Sequence, residues 1–147
     1  MRGFTSLEIL ITVGIMAVLL GVVVSPLLQT RDARALRETA ERVVSLLEQA
    51  RTKTLAGEGD SNYGIHLHTK NATLFKGSVY STSAADNIVI PIPSFVSLSF
   101  SIGGGSDLIF DRLTGTTQEP GTITLSLARD ATKQIIITVP ASGIVNF

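Results

Sequence analysis

The chain has no cysteine, and charged residues make up only 16% of its 147 residues, against roughly 25% in an average soluble domain. The absence of thiols excludes disulfide frameworks, cysteine nucleophiles and thiolate zinc sites. The 12 basic and 12 acidic residues balance, so no net charge attracts the chain to nucleic acid or to anionic lipid. Its length has room for about one domain, which excludes a large multidomain enzyme.

Apolar sequence is in excess and is concentrated near the N-terminus. Residues 9–30 form a run of 22 residues without an ionisable side chain. A helix of about 20 residues covers the roughly 30 Å hydrocarbon core of a bilayer, so the run predicts a single membrane-spanning helix. A cleaved secretory signal is the alternative. Against it, the run is longer than the apolar part of such a signal, and no obvious small-residue cleavage site follows Val24.

Glu8 places a carboxylate at the edge of this apolar run. An acid at the centre of a membrane helix costs about 2.5–3.5 kcal/mol and needs a partner. Glu8 therefore either lies at headgroup depth in contact with water or pairs with a cation. Gly14, Ala17 and Gly21 would permit a neighbouring helix to approach closely, although ordinary tolerance of small residues in membrane helices explains them equally well.

The following segment has apolar residues at spacings of three and four, namely Ala33, Leu36, Ala40, Val43, Val44, Leu47, Ala50 and Leu55. Most of the other positions are charged or polar, and Glu38 and Arg42 form an i,i+4 pair in the favourable order. The pattern predicts an amphipathic helix over residues 31–57, ending at Gly57 and Gly59. It continues the apolar helix, so one helix of about 52 residues is expected from Phe4 onward.

After Asp60 the sequence changes to short alternating runs separated by turn residues, typical of antiparallel strands. Strands are predicted at residues 63–67, 72–76, 78–81, 87–92, 95–102, 108–110, 122–128, 134–139 and 143–147. Pro91 and Pro93 restrict the fourth strand to a sheet edge or an irregular conformation. An α+β fold follows, in which the amphipathic helix half packs on an antiparallel β domain of residues 58–147 and the apolar half protrudes.

Residues 3–8 read Gly-Phe-Thr-Ser-Leu-Glu and lead directly into the apolar run. This junction resembles that of type IV pilins and type II secretion pseudopilins, which have a glycine, a phenylalanine, a glutamate at the fifth position after the cleavage point and about twenty apolar residues. Residues 46–67 and the hairpin of residues 121–147 look most similar to H-type pseudopilins and fimbrial T-type minor pilins. The resemblance implies a type IV pilin-like fold with a leader at residues 1–3 and a transmembrane or filament-core helix half at residues 4–30.

The resemblance also implies a structural subunit of a pilus or secretion pseudopilus rather than an enzyme. A prepilin peptidase would cut after Gly3 and methylate the new amine of Phe4. The subunit would cross the inner (cytoplasmic) membrane once, and an inner-membrane assembly platform would add it to a periplasmic or extracellular filament of homologous subunits. There, Glu8 of one subunit would pair with the Phe4 amine of a neighbour, which offsets the desolvation of both charges. A major pilin and a DNA-uptake minor pilin are the alternatives.

Other chemistry has weaker support, so the sequence predicts no catalytic residue, metal or cofactor. His66 and His68 share a strand face without a visible third metal ligand. Asp107, Asp111 and Glu119 lie near loops and offer oxygen ligands for Ca²⁺, and residues 71–73 fit a glycosylation sequon. Residues 54–147 hold five basic and seven acidic side chains, a net charge of −2, and residues 141–147 hold no cation. Attraction to nucleic acid is therefore expected to be weak.

Overall fold

The computed structural model describes residues 4–103 and 105–147, without the side chains of residues 21–30. The chain divides into two units, residues 1–34 and residues 35–147. Its elements follow in the order α1 (Ser6–Leu55), a 3₁₀ turn (Glu58–Asp60), β1 (Tyr63–His68), β2 (Asn71–Lys76), β3 (Ile88–Pro91), β4 (Val96–Ile102), β5 (Asp107–Phe110), β6 (Gly121–Leu127) and β7 (Asp130–Val139).

Helix α1 ends where the glycines predicted it would. Gly57 has a left-handed φ of 63°, and its N–H donates to the Thr54 carbonyl oxygen at 3.1 Å. A residue with a Cβ adopts this conformation only at a cost, which explains why a glycine terminates the helix. The predicted pair of Glu38 and Arg42 is also present, with 2.7 Å between Oε1 and Nη2.

The apolar stripe of α1 forms one side of the core in the second unit. Leu36, Ala40, Val43, Leu47 and Ala50 are buried with apolar side chains of both sheets, as the spacing predicted. Leu46 and Thr54 are also buried, whereas Ala33 and Leu55 are exposed. The buried stripe is therefore wider than the predicted one and ends one residue earlier, because Thr54 takes its last position.

The strands form two antiparallel sheets rather than one. The first has the strand order β3-β2-β1-β5 and the second has the order β4-β6-β7. Val96 and Leu98 from β4, and Ile123, Leu125 and Leu127 from β6, are buried in the core. Phe100 and Ile102, on the same face of β4, are partly buried against it, so the alternation of apolar and polar residues gives each strand one inward face. Strand β3 lies at a sheet edge and ends at Pro91, which confirms the positional restriction inferred from proline.

Two predicted strands, at residues 78–81 and 143–147, are absent. Residues 77–87 form a loop instead, in which Tyr80 stacks on His66 with 3.9 Å between ring centroids and meets Phe75 edge-on. The tail makes one isolated bridge, between Thr138 and Asn146. In both segments the apolar side chains are largely exposed, as for Val79 and Ile144, so no buried face favours a ladder of backbone hydrogen bonds there.

Thr54 joins the end of α1 to the start of β1. Its hydroxyl donates to the Ala50 carbonyl oxygen at 2.8 Å and accepts from the Tyr63 N–H at 3.0 Å, and the side chain is fully buried. Because valine has the same shape, Thr54→Val removes the acceptor without leaving a cavity. We expect the free energy of unfolding to fall by about 1–3 kcal/mol, the cost of a buried N–H without a partner.

Urea unfolding of the full chain in detergent, followed by tyrosine fluorescence, measures this loss. Thr39→Val is the matched control on the same helix, since the Thr39 hydroxyl donates only to the Ala35 carbonyl oxygen. That carbonyl lies within a helix and has its own backbone bond, so the control should cost under about 1 kcal/mol. Equal losses for the two variants would contradict the role assigned to Thr54.

Where β6 turns into β7, the pKa of the Asp130 carboxyl is lowered by its neighbours. The Thr132 hydroxyl donates a hydrogen bond that lowers the pKa of the Asp130 carboxyl from its ordinary 3.8, with smaller contributions from the Thr132 N–H and Lys133. A lowered folded-state pKa stabilises the turn above the unfolded pKa, and this stabilisation is lost as the pH falls through the folded pKa. We expect Thr132→Val to raise the titration midpoint of Asp130 toward 3.8, as measured by carboxyl-carbon NMR. An unchanged midpoint, or the same rise in Thr124→Val, would refute this assignment.

Candidate functional site

The N-terminal end of α1 is built by a local capping interaction. The Glu8 N–H lies 3.3 Å from Thr5 Oγ1 and 3.1 Å from the Thr5 carbonyl oxygen. Thr5 is therefore the N-cap, and a threonine followed three residues later by glutamate is the capping-box spacing. The sequence interpretation did not assign a role to Thr5, although this spacing was readable.

Glu8 lies in the first turn of α1, where the positive end of the helix dipole favours an acid. Its side chain is exposed, and no hydrogen bond or ion pair holds its carboxylate within residues 4–103 and 105–147. The first basic residue after Glu8 is Arg31. Residues 4–30 therefore hold no basic side chain, and a partner cation for Glu8 has to come from outside this stretch.

Residues 4–20, the N-terminal apolar segment, have apolar side chains exposed on every side of the helix. More than half of the residue surface is accessible in Phe4, Leu7, Ile9, Leu10, Ile11, Val13, Ile15, Met16, Val18, Leu19 and Leu20. The one other polar side chain after Glu8 is Thr12, whose hydroxyl donates back to the carbonyl oxygens of Glu8 and Ile9 at 2.9 Å. A helix that is apolar all round is covered by lipid or by protein.

Gly14 lies in the middle of this segment. A Cβ added there would meet nothing within 4 Å, so nothing within the described chain requires a glycine at this position. The small surface is open to a neighbouring helix, which fits the close approach considered from the sequence.

The predicted processing site is divided between described and undescribed residues. Gly3 lies outside the described residues, whereas Phe4 precedes the helix and is 77% exposed.

Within the fully described part of the chain, no helix offers an apolar stretch that would reach across a membrane. The predicted span of residues 9–30 includes residues 21–30, whose side chains lie outside that part.

His66 and His68 have separate partners. His66 Nδ1 lies 2.6 Å from Asp107 Oδ1 on the adjacent strand β5, and its ring is covered by Tyr80. His68 is exposed, and its Nδ1 accepts from the Lys70 N–H at 3.3 Å. The structure therefore uses His66 to attach the loop of residues 77–87 to the outer face of the first sheet.

The acidic side chains considered for Ca²⁺ also bind within the chain. Asp111 Oδ2 accepts from Gln118 Nε2 at 3.1 Å, and Glu119 Oε2 accepts from the Ile109 N–H at 3.2 Å. Of the side chains that are described, no three His, Cys, Asp or Glu residues converge to hold a metal ion. In the sequon of residues 71–73, the threonine Thr73 is only 1% exposed.

Several cations near the helix are bound by carboxylates. Arg37 and Glu41 are 2.9 Å apart, Arg112 pairs with Asp60, and Lys53 Nζ lies 2.6 Å from Glu58 Oε1. The hydrogen bond to Glu58 raises the pKa of Lys53 above its ordinary 10.5. A phosphate group would have to displace these carboxylates to reach the cations.

No protein family and no curated protein matches the sequence. Among solved structures, the chain is similar to the type IV minor pilin FimU of Pseudomonas aeruginosa, with 15% sequence identity and a TM-score of 0.56, over 75% of this chain and 90% of that one. At this identity the likeness establishes the fold alone. It confirms the α+β, type IV pilin-like fold class that the sequence predicted.

Proposed function

We propose that this chain is a structural subunit that assembles through its N-terminal helix into a filament of the type IV pilus or type II secretion pseudopilus kind. The observation that carries the proposal is the N-terminal apolar segment, exposed on all sides, with Glu8 at its start. A compact β domain joined to such a helix has one part suited to water and one part that must be covered. A minor-subunit role is part of the proposal, and the fold is shared with a minor pilin. Its place near the H-type and fimbrial T-type branch rests on the resemblance of residues 46–67 and 121–147 alone.

The proposed maturation begins with cleavage after Gly3 by a prepilin peptidase and methylation of the Phe4 amine. The subunit is then held by the inner membrane until an assembly platform moves it into the filament. In the membrane, Glu8 lies at the level of the headgroups, where water solvates its carboxylate. In the filament, its carboxylate pairs with the Phe4 amine of a neighbouring subunit.

This pairing gives the filament its axial register. Helices in lipid gain little from the hydrophobic effect when they associate, so packing and polar pairs determine how they align. A buried charge without a partner is strongly unfavourable, and the apolar segment offers no other charged group as far as Arg31. Only alignments that bring a Phe4 amine to Glu8 satisfy both charges.

Intact-mass and peptide mass spectrometry of the native chain tests the proposal. The chain should be recovered from the cell membranes and from a sheared filament fraction. The expected result is an N-terminus at Phe4 that carries one additional methyl group in both fractions. A chain that starts at Met1, or one that starts after Ser25, would contradict the proposed maturation. Absence of the chain from every filament fraction would contradict assembly.

A further inference from the structure

Part of the outer face of the first sheet is buried. Along β2, Ala72 and Leu74 belong to the core. Thr73 and Phe75 alternate with them and therefore lie on the opposite face. The face of an antiparallel sheet that is turned away from the core is commonly in contact with water. Thr73 and Phe75 are nevertheless each only 1% exposed, so another part of the chain covers them.

The loop of residues 77–87 is this cover. Its Tyr80 ring stacks on His66, with 3.9 Å between ring centroids, and meets Phe75 edge-on at 5.6 Å. In the pairing of β1 with β2, His66 lies directly opposite Thr73. Tyr80 thus contacts the residue across from Thr73 and the residue two positions after it, which places the loop over Thr73.

Two buried polar atoms in this region have no hydrogen-bond partner within the part of the chain that the structure describes. They are Thr73 Oγ1 and Asn87 Oδ1. The orientation of the Asn87 amide is fixed at its other end, because Nδ2 donates to the Ser81 carbonyl oxygen at 2.8 Å. Buried polar groups in native proteins nearly always have a partner, and an ordered water takes this role where the protein supplies none.

The positions of the two side chains suit a single bridging water. Thr73 pairs with Val89 on β3, and Asn87 precedes Val89 by two residues, so Thr73 and Asn87 are diagonal neighbours on one face. The Cα atoms of such neighbours lie about 7–8 Å apart, with the Cβ atoms somewhat closer. A water with two hydrogen bonds of about 2.8 Å spans up to about 5.6 Å between two oxygens.

We propose that this region holds a bound water molecule, which joins the Thr73 hydroxyl to the Asn87 side-chain oxygen and so fastens the loop to the sheet. The water donates to Asn87 Oδ1, which only accepts, and shares a second hydrogen bond with the Thr73 hydroxyl, which donates or accepts. Both partners are neutral, so water fits the site better than a cation, whose buried charge would need a counter-ion. The site uses only residues of the second unit and is therefore independent of filament assembly.

Water-selective NMR on the full chain in detergent tests the site directly. The deuterated, methyl-protonated chain should show a nuclear Overhauser effect between water and the Thr73 methyl group, with the sign of a water that tumbles with the protein. The Thr54 methyl group is the control for exchange of hydroxyl protons, since its buried hydroxyl is bonded within the chain. The proposal is overturned if Thr73 shows no stronger effect than Thr54.

A double-mutant cycle tests whether one water joins the two side chains. Thr73→Val and Asn87→Leu each remove one partner at nearly constant volume, and Thr73→Val should raise the unfolding equilibrium constant in urea by about two- to tenfold. In the double variant this constant should be at least about threefold lower than the product of the single effects predicts, because the second change has no water left to release. The Asn87 bond to Ser81 is lost in both backgrounds and cancels.

Thr39→Val combined with Asn87→Leu is the control for the cycle. Thr39 lies on α1 and its hydroxyl donates only to the Ala35 carbonyl oxygen, so the effects of this pair should multiply. Effects that also multiply for Thr73→Val and Asn87→Leu would overturn the proposal. A Thr73→Val variant as stable as the original chain would do the same, because it would show that the hydroxyl has no partner to lose.

Discussion

Replacing Gly143 by alanine is expected to lower the free energy of unfolding by about 2–4 kcal/mol, as the sum of backbone strain and overpacking. Gly143 has a φ of +73°, and a Cβ at this position would overlap the Gly115 carbonyl oxygen and lie 3.2 Å from Arg51 Nε. Neither neighbour can move freely, because Arg51 Nε also donates to the Gly115 carbonyl oxygen at 3.2 Å. The substitution would therefore separate the tail from the end of α1.

Gly105→Ala is the matched control for this prediction. Gly105 has a φ of +76°, and a Cβ there would meet nothing within 4 Å. The control has the same backbone strain without the overlap, so it should cost only about 1–2 kcal/mol. Urea unfolding of both variants in detergent, followed by tyrosine fluorescence, separates the two contributions. Equal losses would show that the overlap at Gly143 is relieved by movement of the tail.

The elements with local causes could be predicted from the sequence. The stripe from Leu36 to Ala50 has helical spacing, and Gly57 supplies the left-handed conformation that ends α1. Alternation placed Val96 and Leu98 on the buried side of β4. Each of these features depends on residues within a few positions of one another, so a pattern in the sequence is sufficient to find it.

The features with long-range causes could not be predicted in the same way. Strands β4 and β5 are close in the sequence but belong to different sheets, because pairing depends on partners far along the chain. Residues 78–81 have a strand-like composition, yet Tyr80 stacks on His66. Whether an aromatic side chain joins a ladder or covers another ring is decided by the folded surface around it.

The candidate site differs from both groups of features. Its motif, Phe4 and Glu8, lies within a few residues, but in the proposed filament the group that pairs with each of them belongs to another subunit. Phe4 and Glu8 could be recognised from their spacing, and Thr5 was recognisable as an N-cap from the same residues. The structure of one chain shows an exposed Phe4 and an exposed Glu8. In the proposed filament the missing partner of each is supplied by another copy, so only a change that affects assembly without affecting the fold can test the pairing.

Glu8→Gln is such a change, and we expect it to reduce the amount of filament at least about tenfold. Glutamine has nearly the same shape but no charge, so the Phe4 amine of the neighbouring subunit would be buried without a counter-ion, at a cost of about 3–5 kcal/mol. The fold should be unaffected, because the Glu8 N–H that donates to Thr5 is retained. Glu8→Ala should behave in the same way.

The two readouts of this experiment are the amount of chain in the membrane fraction and the amount in sheared filaments. The membrane amount should be unchanged, since removal of a carboxylate does not hinder insertion of the apolar run. Glu48→Gln is the control on the same helix, because Glu48 is also exposed but belongs to the second unit, and its filaments should be normal. Because the pairing is the step that fixes the register between helices, normal filament abundance in Glu8→Gln would leave the pairing without a role in assembly.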